Sequence, residues 1–187
     1  DGIKLKVKTE REKLIKGSPE KVAIQMKHER DGSKLEMTLL STTTGKDAVI
    51  TVSNYCPVVK SLFDVAKPSG YLIPSTETKL IDWVNRHQFQ ISKYIPETTD
   101  MIEGMLITSI DSIDFEGDIV VNPIYSTWKV TLNDLKGEYF LLPTKQLAGN
   151  VIVQALEPKS MIGLVTYKPF EYLLKLEEAY PVLRIYR

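Results

Sequence analysis

The same local pattern occurs twice in this chain: an apolar run, a proline, a hydroxyl residue, and then apolar residues at helical spacing. The two copies cover residues 71–87 and 138–157. Proline ends a strand because it lacks a backbone N–H, and a hydroxyl side chain suits the start of a helix. We therefore predict two strand–helix units, with Ser75 or Thr76 capping the first helix and Thr144 capping the second.

The first third of the sequence predicts strands. Apolar residues alternate with lysines over residues 3–8, which is the period of a strand. The pair Asp31-Gly32 separates two further β-like runs and predicts a hairpin, since both residues tolerate positive φ. With another turn at residues 44–47, we expect an antiparallel, sandwich-like meander of about four strands in residues 1–66.

Together these patterns predict an α+β fold with two parts. Residues 1–66 are expected to form a β-rich subdomain, packed against an α/β subdomain of residues 67–187 with a mixed sheet and two to three helices. A chain of 187 residues can build such a core without disulfides or metals. The other predicted elements of the second part are three β-like runs, a short helix and a closing strand, at residues 105–110, 119–121, 125–132, near Pro169 and 182–186.

Charge and hydropathy argue against two classes of partner. Lysine plus arginine number 24 and aspartate plus glutamate number 24, so the net charge is zero, whereas nucleic-acid-binding domains have a basic excess. No apolar run approaches the roughly 18 residues of a membrane span. No signal peptide opens the sequence, and we expect an upstream signal or domain to precede Asp1.

The sequence offers few ligands for a hydrolytic zinc site. Its histidines are His28 and His87, and its single cysteine is Cys56. Residues 28–31 imitate the His-x-x-Glu spacing of zinc peptidases with aspartate in place of glutamate, but they lie at a predicted strand end and turn. Gly-x-Ser-x-Gly and glycine-rich phosphate-binding motifs are also missing, so we predict no catalytic residue, metal ligand or cofactor in this chain.

An acidic segment at residues 97–118 offers a weak alternative for a metal. It contains no lysine or arginine, and carboxylate oxygens are the ligands that calcium prefers. The spacing is not that of an EF-hand loop, so we favour a solvated loop between strands. The weak calcium candidates are Asp111, Asp114, Glu116 and Asp118.

Aromatic residues supply the candidate binding site. Exposed aromatic rings can form a platform for a sugar or a peptide. In strands and helices of this pattern they are more often core residues, which is the interpretation we favour. The weak binding candidates are Trp83, Trp128, Tyr125 and Tyr139.

Residues 69–187 resemble the segment that follows the catalytic domain in bacterial M14-family zinc carboxypeptidases. In that family a strand, Pro-Thr-x-Gln, a small-residue helix and Leu-Glu-Pro-x-Ser recur near the C-terminus. This sequence has the corresponding runs at residues 137–150 and 156–160. Residues 69–74, the helix after them and residues 181–184 are similar as well.

The resemblance implies a non-catalytic C-terminal domain that braces an upstream catalytic domain or shapes access to its cleft. The zinc and the hydrolase activity would belong to that upstream domain, which would be the chief partner. The parent would be a bacterial protein that is periplasmic or secreted. The alternative is an independent module that binds peptide or cell-wall glycan, and a small stand-alone enzyme is a third hypothesis.

Overall fold

The computed structural model describes residues 2–17 and 19–187 and confirms the α+β fold. Asp1, where the predicted N-terminal strand segment opens, and Ser18 lie outside the described residues. The helices are α1 (Gly2–Ile15), α2 (Thr78–Arg86) and α3 (Gly149–Leu156). The strands are β1 (Lys21–Glu29), β2 (Leu35–Leu40), β3 (Asp47–Val52), β4 (Val58–Ala66), β5 (Gly70–Pro74), β6 (Ser92–Lys93), β7 (Met101–Phe115), β8 (Asp118–Val130), β9 (Tyr139–Pro143) and β10 (Leu183–Tyr186).

A six-stranded sheet in the order β6-β9-β5-β10-β7-β8 forms the centre of the described structure. Each of its pairings is antiparallel, so the predicted mixed sheet is wrong. The closing strand β10 lies between β5 and β7, where it is buried. Because successive side chains of a strand point to opposite faces, Tyr71 and Ile73 enter one core cluster and Leu72 enters another.

The two strand–helix units are confirmed, but their predicted caps are wrong. The N-cap positions are Glu77 and Ala148, and neither side chain caps its helix. Thr144 is buried, and its hydroxyl donates a hydrogen bond of 2.5 Å to the carbonyl oxygen of Pro68. The polar residue after the strand therefore ties two loops together, because burial leaves its hydroxyl in need of a local acceptor. A short 3-10 helix at Lys168–Leu173 fulfils the prediction near Pro169.

The first third of the chain forms two nested ribbons, so the predicted sandwich-like meander is wrong. Strand β1 pairs with β4, and β2 pairs with β3. We call the first pair the proximal ribbon and the second the distal ribbon. The pair Asp31-Gly32 forms a turn, with Gly32 at a φ of 85°, but the strands on either side of it pair elsewhere. The predicted turn at 44–47 does join a hairpin.

Burial explains why β1 pairs with β4 and not with β2. Val22 and Ile24 of β1 and Val65 of β4 belong to the main core cluster, together with residues of α2, α3 and the sheet. The strands of the distal ribbon contribute no buried residue within the described part of the chain. If β1 paired with β2 instead, its apolar side chains would therefore lose this shared core. The division of the chain near residue 66 stays a prediction.

The predicted N-terminal strand is instead the helix α1. Its residues include several good helix formers, and a pair of side chains three positions apart, Glu10 and Lys13, interacts at 2.8 Å. Within the described range of α1 no residue is buried. Helix propensity decided the structure of this segment. A strand is stable only when it pairs with a neighbouring strand, and the alternation of apolar residues and lysines does not provide one. None of the described helices is long and apolar enough to cross a bilayer.

The acidic segment at residues 97–118 is also not the loop that we predicted. Most of it lies in β7, which forms a long hairpin with β8, and only its tip is a turn. Glu116 and Gly117 both have positive φ, of 55° and 94°, as in the tight turns that match the twist of a hairpin. The favoured solvated loop is therefore wrong for residues 101–115. Charged side chains on an exposed ribbon keep such strands from pairing with other chains.

Candidate functional site

A buried polar network connects the centre of the sheet to the end of α3. The Arg184 guanidinium of β10 makes two hydrogen bonds to the carboxylate of Glu157, at 2.8 and 2.5 Å. It also donates to Glu103, at 2.5 Å, and to the hydroxyl of Tyr125, at 2.8 Å. The hydroxyl of Tyr71 donates to Glu157 at 2.8 Å. No sequence pattern indicated this pairing: Glu157 lies at the end of the second predicted strand–helix unit, and both residues lie in the family-like runs.

The network is structural in character. Glu157 is fully buried and Arg184 is 6% exposed, so each charge depends on the other for compensation. Burial opposes the charge of Arg184, but the hydrogen bonds that its guanidinium donates to Glu157 and Glu103 hold the pKa of that group above its ordinary value. Burial and the neighbouring Glu157 likewise raise the pKa of Tyr71. These contacts join β10 to β7, to β8 and to the end of α3, which favours a role in packing.

Among the described residues, the histidines and the weak calcium candidates do not form one metal site. His28 lies near the end of β1, as predicted, with Nε2 at 4.0 Å from Glu116, and His87 ends α2 with Nδ1 at 2.8 Å from the carbonyl oxygen of Trp83. Asp111 and Asp114 are an odd number of positions apart on β7, so they face opposite sides of the hairpin. Among the residues that the structure describes, no three His, Cys, Asp or Glu side chains form a group that could hold a metal ion.

The four aromatic candidates do not form one platform. Tyr125 joins the Arg184 network, and Tyr139 packs against the second core cluster. Trp128 is 40% exposed and covers Gly104, where an added Cβ would lie 2.4 Å from its ring. Trp83, in α2, is partly buried and packs against the main core cluster. The structure therefore leaves two separate aromatic surfaces, around Trp128 and around Trp83.

The distal ribbon presents an uncovered apolar face. Residues directly opposite in an antiparallel pair lie on the same face, and the register joins Leu35 to Val52, Met37 to Ile50 and Leu39 to Ala48. None of these is buried within the described structure, and Ile50 is half exposed. The opposite face mixes polar and apolar residues. We call the six-residue surface the ribbon face; its members are Leu35, Met37, Leu39, Ala48, Ile50 and Val52.

A second apolar surface is a groove between α2 and α3, which we call the Trp83 groove. It has a volume of about 340 Å³. An adjoining cleft of about 280 Å³ shares Trp83 and is lined along the length of α2, with Lys79, Arg86 and His87 among its lining residues. The groove is lined by Trp83, Val151, Gln154, Ala155, Ile162, Leu164 and Tyr167.

Sequence reasoning missed both the ribbon face and the Arg184–Glu157 pair. The period-two alternation of β2 and β3 was the available signal for the ribbon face, since it leaves one apolar side that something must cover. No local signal joins Glu157 to Arg184, which are 27 positions apart. Comparison with known proteins finds no matching family model, no matching curated protein and no matching solved structure.

Proposed function

We propose that this chain is a non-catalytic interaction module whose ribbon face docks on a catalytic domain of the M14 zinc carboxypeptidase type. The observation that carries the proposal is the ribbon face itself. A two-stranded ribbon is marginally stable in water unless its apolar side packs on something, and contiguous exposed apolar surface marks an interaction site. The distal ribbon has such a side and leaves it uncovered in the described structure.

The carboxypeptidase partner rests on the resemblance of residues 137–150 and 156–160 to that family's C-terminal segment. Glu157 lies in the second of these runs and pairs with Arg184, a residue of the family-like ending. A structural use for both motif residues supports a bracing role and not chemistry. By the same resemblance, the parent protein is bacterial and extracytoplasmic, and its zinc belongs to the upstream domain.

The test begins with the coding sequence upstream of Asp1. If it encodes a zinc-peptidase domain, that domain is expressed separately and titrated with the 187-residue chain by calorimetry. Ile50→Glu places a carboxylate in the ribbon face and is expected to weaken binding at least about tenfold, because a charge would be buried without a partner. Val49→Glu is the matched control, since Val49 is the next residue and points to the opposite face.

Two results would contradict the proposal. One is an upstream sequence that encodes no zinc-peptidase domain. The other is equal binding by the Ile50→Glu and Val49→Glu variants, which would show that the partner does not contact the ribbon face. Urea denaturation of both variants confirms that each is folded, and we expect little change in the free energy of unfolding because both positions are exposed.

A further inference from the structure

We propose that the Trp83 groove is a second, independent binding site, and that it takes a peptide segment with a bulky apolar side chain next to a carboxylate. The groove lies on the α2–α3 side of the molecule and shares no lining residue with the ribbon face. Its failure as a binding site would therefore leave the proposed function untouched, and the reverse also holds.

The walls of the groove favour an apolar side chain over a sugar. Val151, Ile162 and Leu164 give it aliphatic sides, and Gln154 is its one amide. The Gln154 side chain is already engaged, since its nitrogen donates to the carbonyl oxygen of Ala23 and its oxygen accepts from the hydroxyl of Ser160. Sugar hydroxyls placed against these walls would lose water without gaining partners, which costs free energy.

Two aromatic side chains frame the space for such a group. Trp83 is held by neighbouring rings, with His87 at 5.0 Å and Phe89 at 5.3 Å between ring centroids. Tyr167 also lines the groove and is 55% exposed, as is Val151. A ring or branched aliphatic side chain of the peptide would replace water on these surfaces, which is the main source of affinity in a concave apolar site.

The charge beside the groove favours an acidic neighbour. The adjoining cleft that shares Trp83 carries Lys79 and Arg86, with Asp82 as its one acidic lining residue. Lys79 is occupied, because it lies 4.8 Å from the centre of the Tyr172 ring and donates to the carbonyl oxygen of Pro169. No described residue forms a hydrogen bond or an ion pair with the Arg86 side chain. Its guanidinium is free to bind a carboxylate bidentately.

The experiment follows the two indole N–H signals of the chain by NMR while peptide is added. The probe is acetyl-Ser-Leu-Phe-Glu-Ser-amide, and its neutral counterpart has Gln for Glu. A third peptide, acetyl-Ser-Leu-Phe with a free C-terminus, distinguishes a terminal carboxylate from a side-chain carboxylate. We expect the Trp83 signal to shift saturably, with the Trp128 signal unchanged as the internal control because it lies on a separate surface. The acidic peptides should bind about two- to fivefold more tightly than the neutral one, as for an exposed ion pair.

Variants localise the two halves of the site. Val151→Asp should weaken binding at least about tenfold by placing a charge in the apolar wall. Arg86→Gln should remove the preference for the acidic peptide, and Lys129→Gln on the exposed side of β8 is its matched control.

Three results would overturn the proposal. The first is an unshifted Trp83 signal at millimolar peptide. The second is equal affinity for the Glu and Gln peptides. The third is a Trp83 shift caused by a chitin tetrasaccharide and not by any of the peptides, which would make the groove a glycan site.

Discussion

The six-stranded sheet and the distal ribbon are built from the same kind of sequence and have opposite environments. Strand β5 is buried at Gly70, Tyr71, Leu72 and Ile73, whereas β2 has no buried residue in the described structure. Both are short runs of β-forming residues bounded by turns. The difference teaches that a strand pattern specifies backbone conformation, while the elements packed on it decide whether it belongs to a core or to an interaction surface.

The largest expected effect tests the dependence of the sheet on its buried ion pair. Glu157→Ala leaves the Arg184 charge buried without its main partner, and we expect a loss of about 3–5 kcal/mol in the free energy of unfolding. Glu36→Ala, at an exposed position opposite the ribbon face, is the matched control and should change the free energy of unfolding by less than about 0.5 kcal/mol. Urea denaturation measures both, and similar losses would break the contrast between the two regions.

A smaller change in stability compares two buried tyrosine hydroxyls of the main core cluster, one with a hydrogen-bond partner and one without a partner among the described residues. Tyr71→Phe removes a buried hydrogen bond to Glu157 and should cost about 1–2 kcal/mol. The hydroxyl of Tyr180 is equally buried, but it has no hydrogen-bond partner among the described residues. Tyr180→Phe should therefore leave the free energy of unfolding unchanged or raise it. An equal loss in the two variants, measured by urea denaturation, would mean that the Tyr180 hydroxyl has a partner.

The smallest effect concerns pH. Burial raises the pKa of Asp100, but the hydrogen bonds from Arg187, from the Glu97 backbone and from Tyr94 outweigh it and lower the pKa below its ordinary value. Its stabilisation is therefore fully present above the ordinary carboxyl pKa, about 3.9, and is lost as the pH falls through the lower folded value.

Asp100→Asn should accordingly destabilise the chain at pH 7 and converge with the unmodified chain at strongly acidic pH. The free energy of unfolding from urea denaturation at several pH values measures this difference. Asp31→Asn, in the turn before the distal ribbon, is the comparison. Its pKa is also lowered, chiefly by the Ser33 hydroxyl, but the group is fully exposed. If the free energy of unfolding of the Asp100→Asn variant differed from that of the unmodified chain by the same amount at every pH, the charge of the Asp100 carboxylate would not contribute to stability.

Particular residues show why some predictions held and others did not. The strand–proline–helix units were predictable because proline and helical spacing act within a few residues. The alternation of apolar residues and lysines at residues 3–8 gave a wrong prediction of a strand. Helix propensity outweighs such an alternation when no second strand is present to pair with the segment. The Asp31-Gly32 turn was recognised, but the partner of β1 was not, since that choice depends on burying Val22 and Ile24 with Val65.

The candidate site was predictable only in part. Trp83 was named in advance, but the groove that it lines together with Tyr167 brings together residues more than 80 positions apart in the chain. The weak calcium candidates failed to converge because β7 and β8 extend as a hairpin and turn successive side chains to opposite faces.

The sequence by itself determined the two strand–helix units, the hairpin turn at residues 44–47, the neutral charge and the scarcity of histidine and cysteine. Turn residues, proline and residue spacing act over a few positions, so they can be interpreted without a structure. The tertiary structure alone decided the nested ribbons, the insertion of β10 into the middle of the sheet and the Arg184–Glu157 pair. These depend on contacts between distant parts of the chain, where the gain from shared burial chooses among partners that local sequence leaves equivalent.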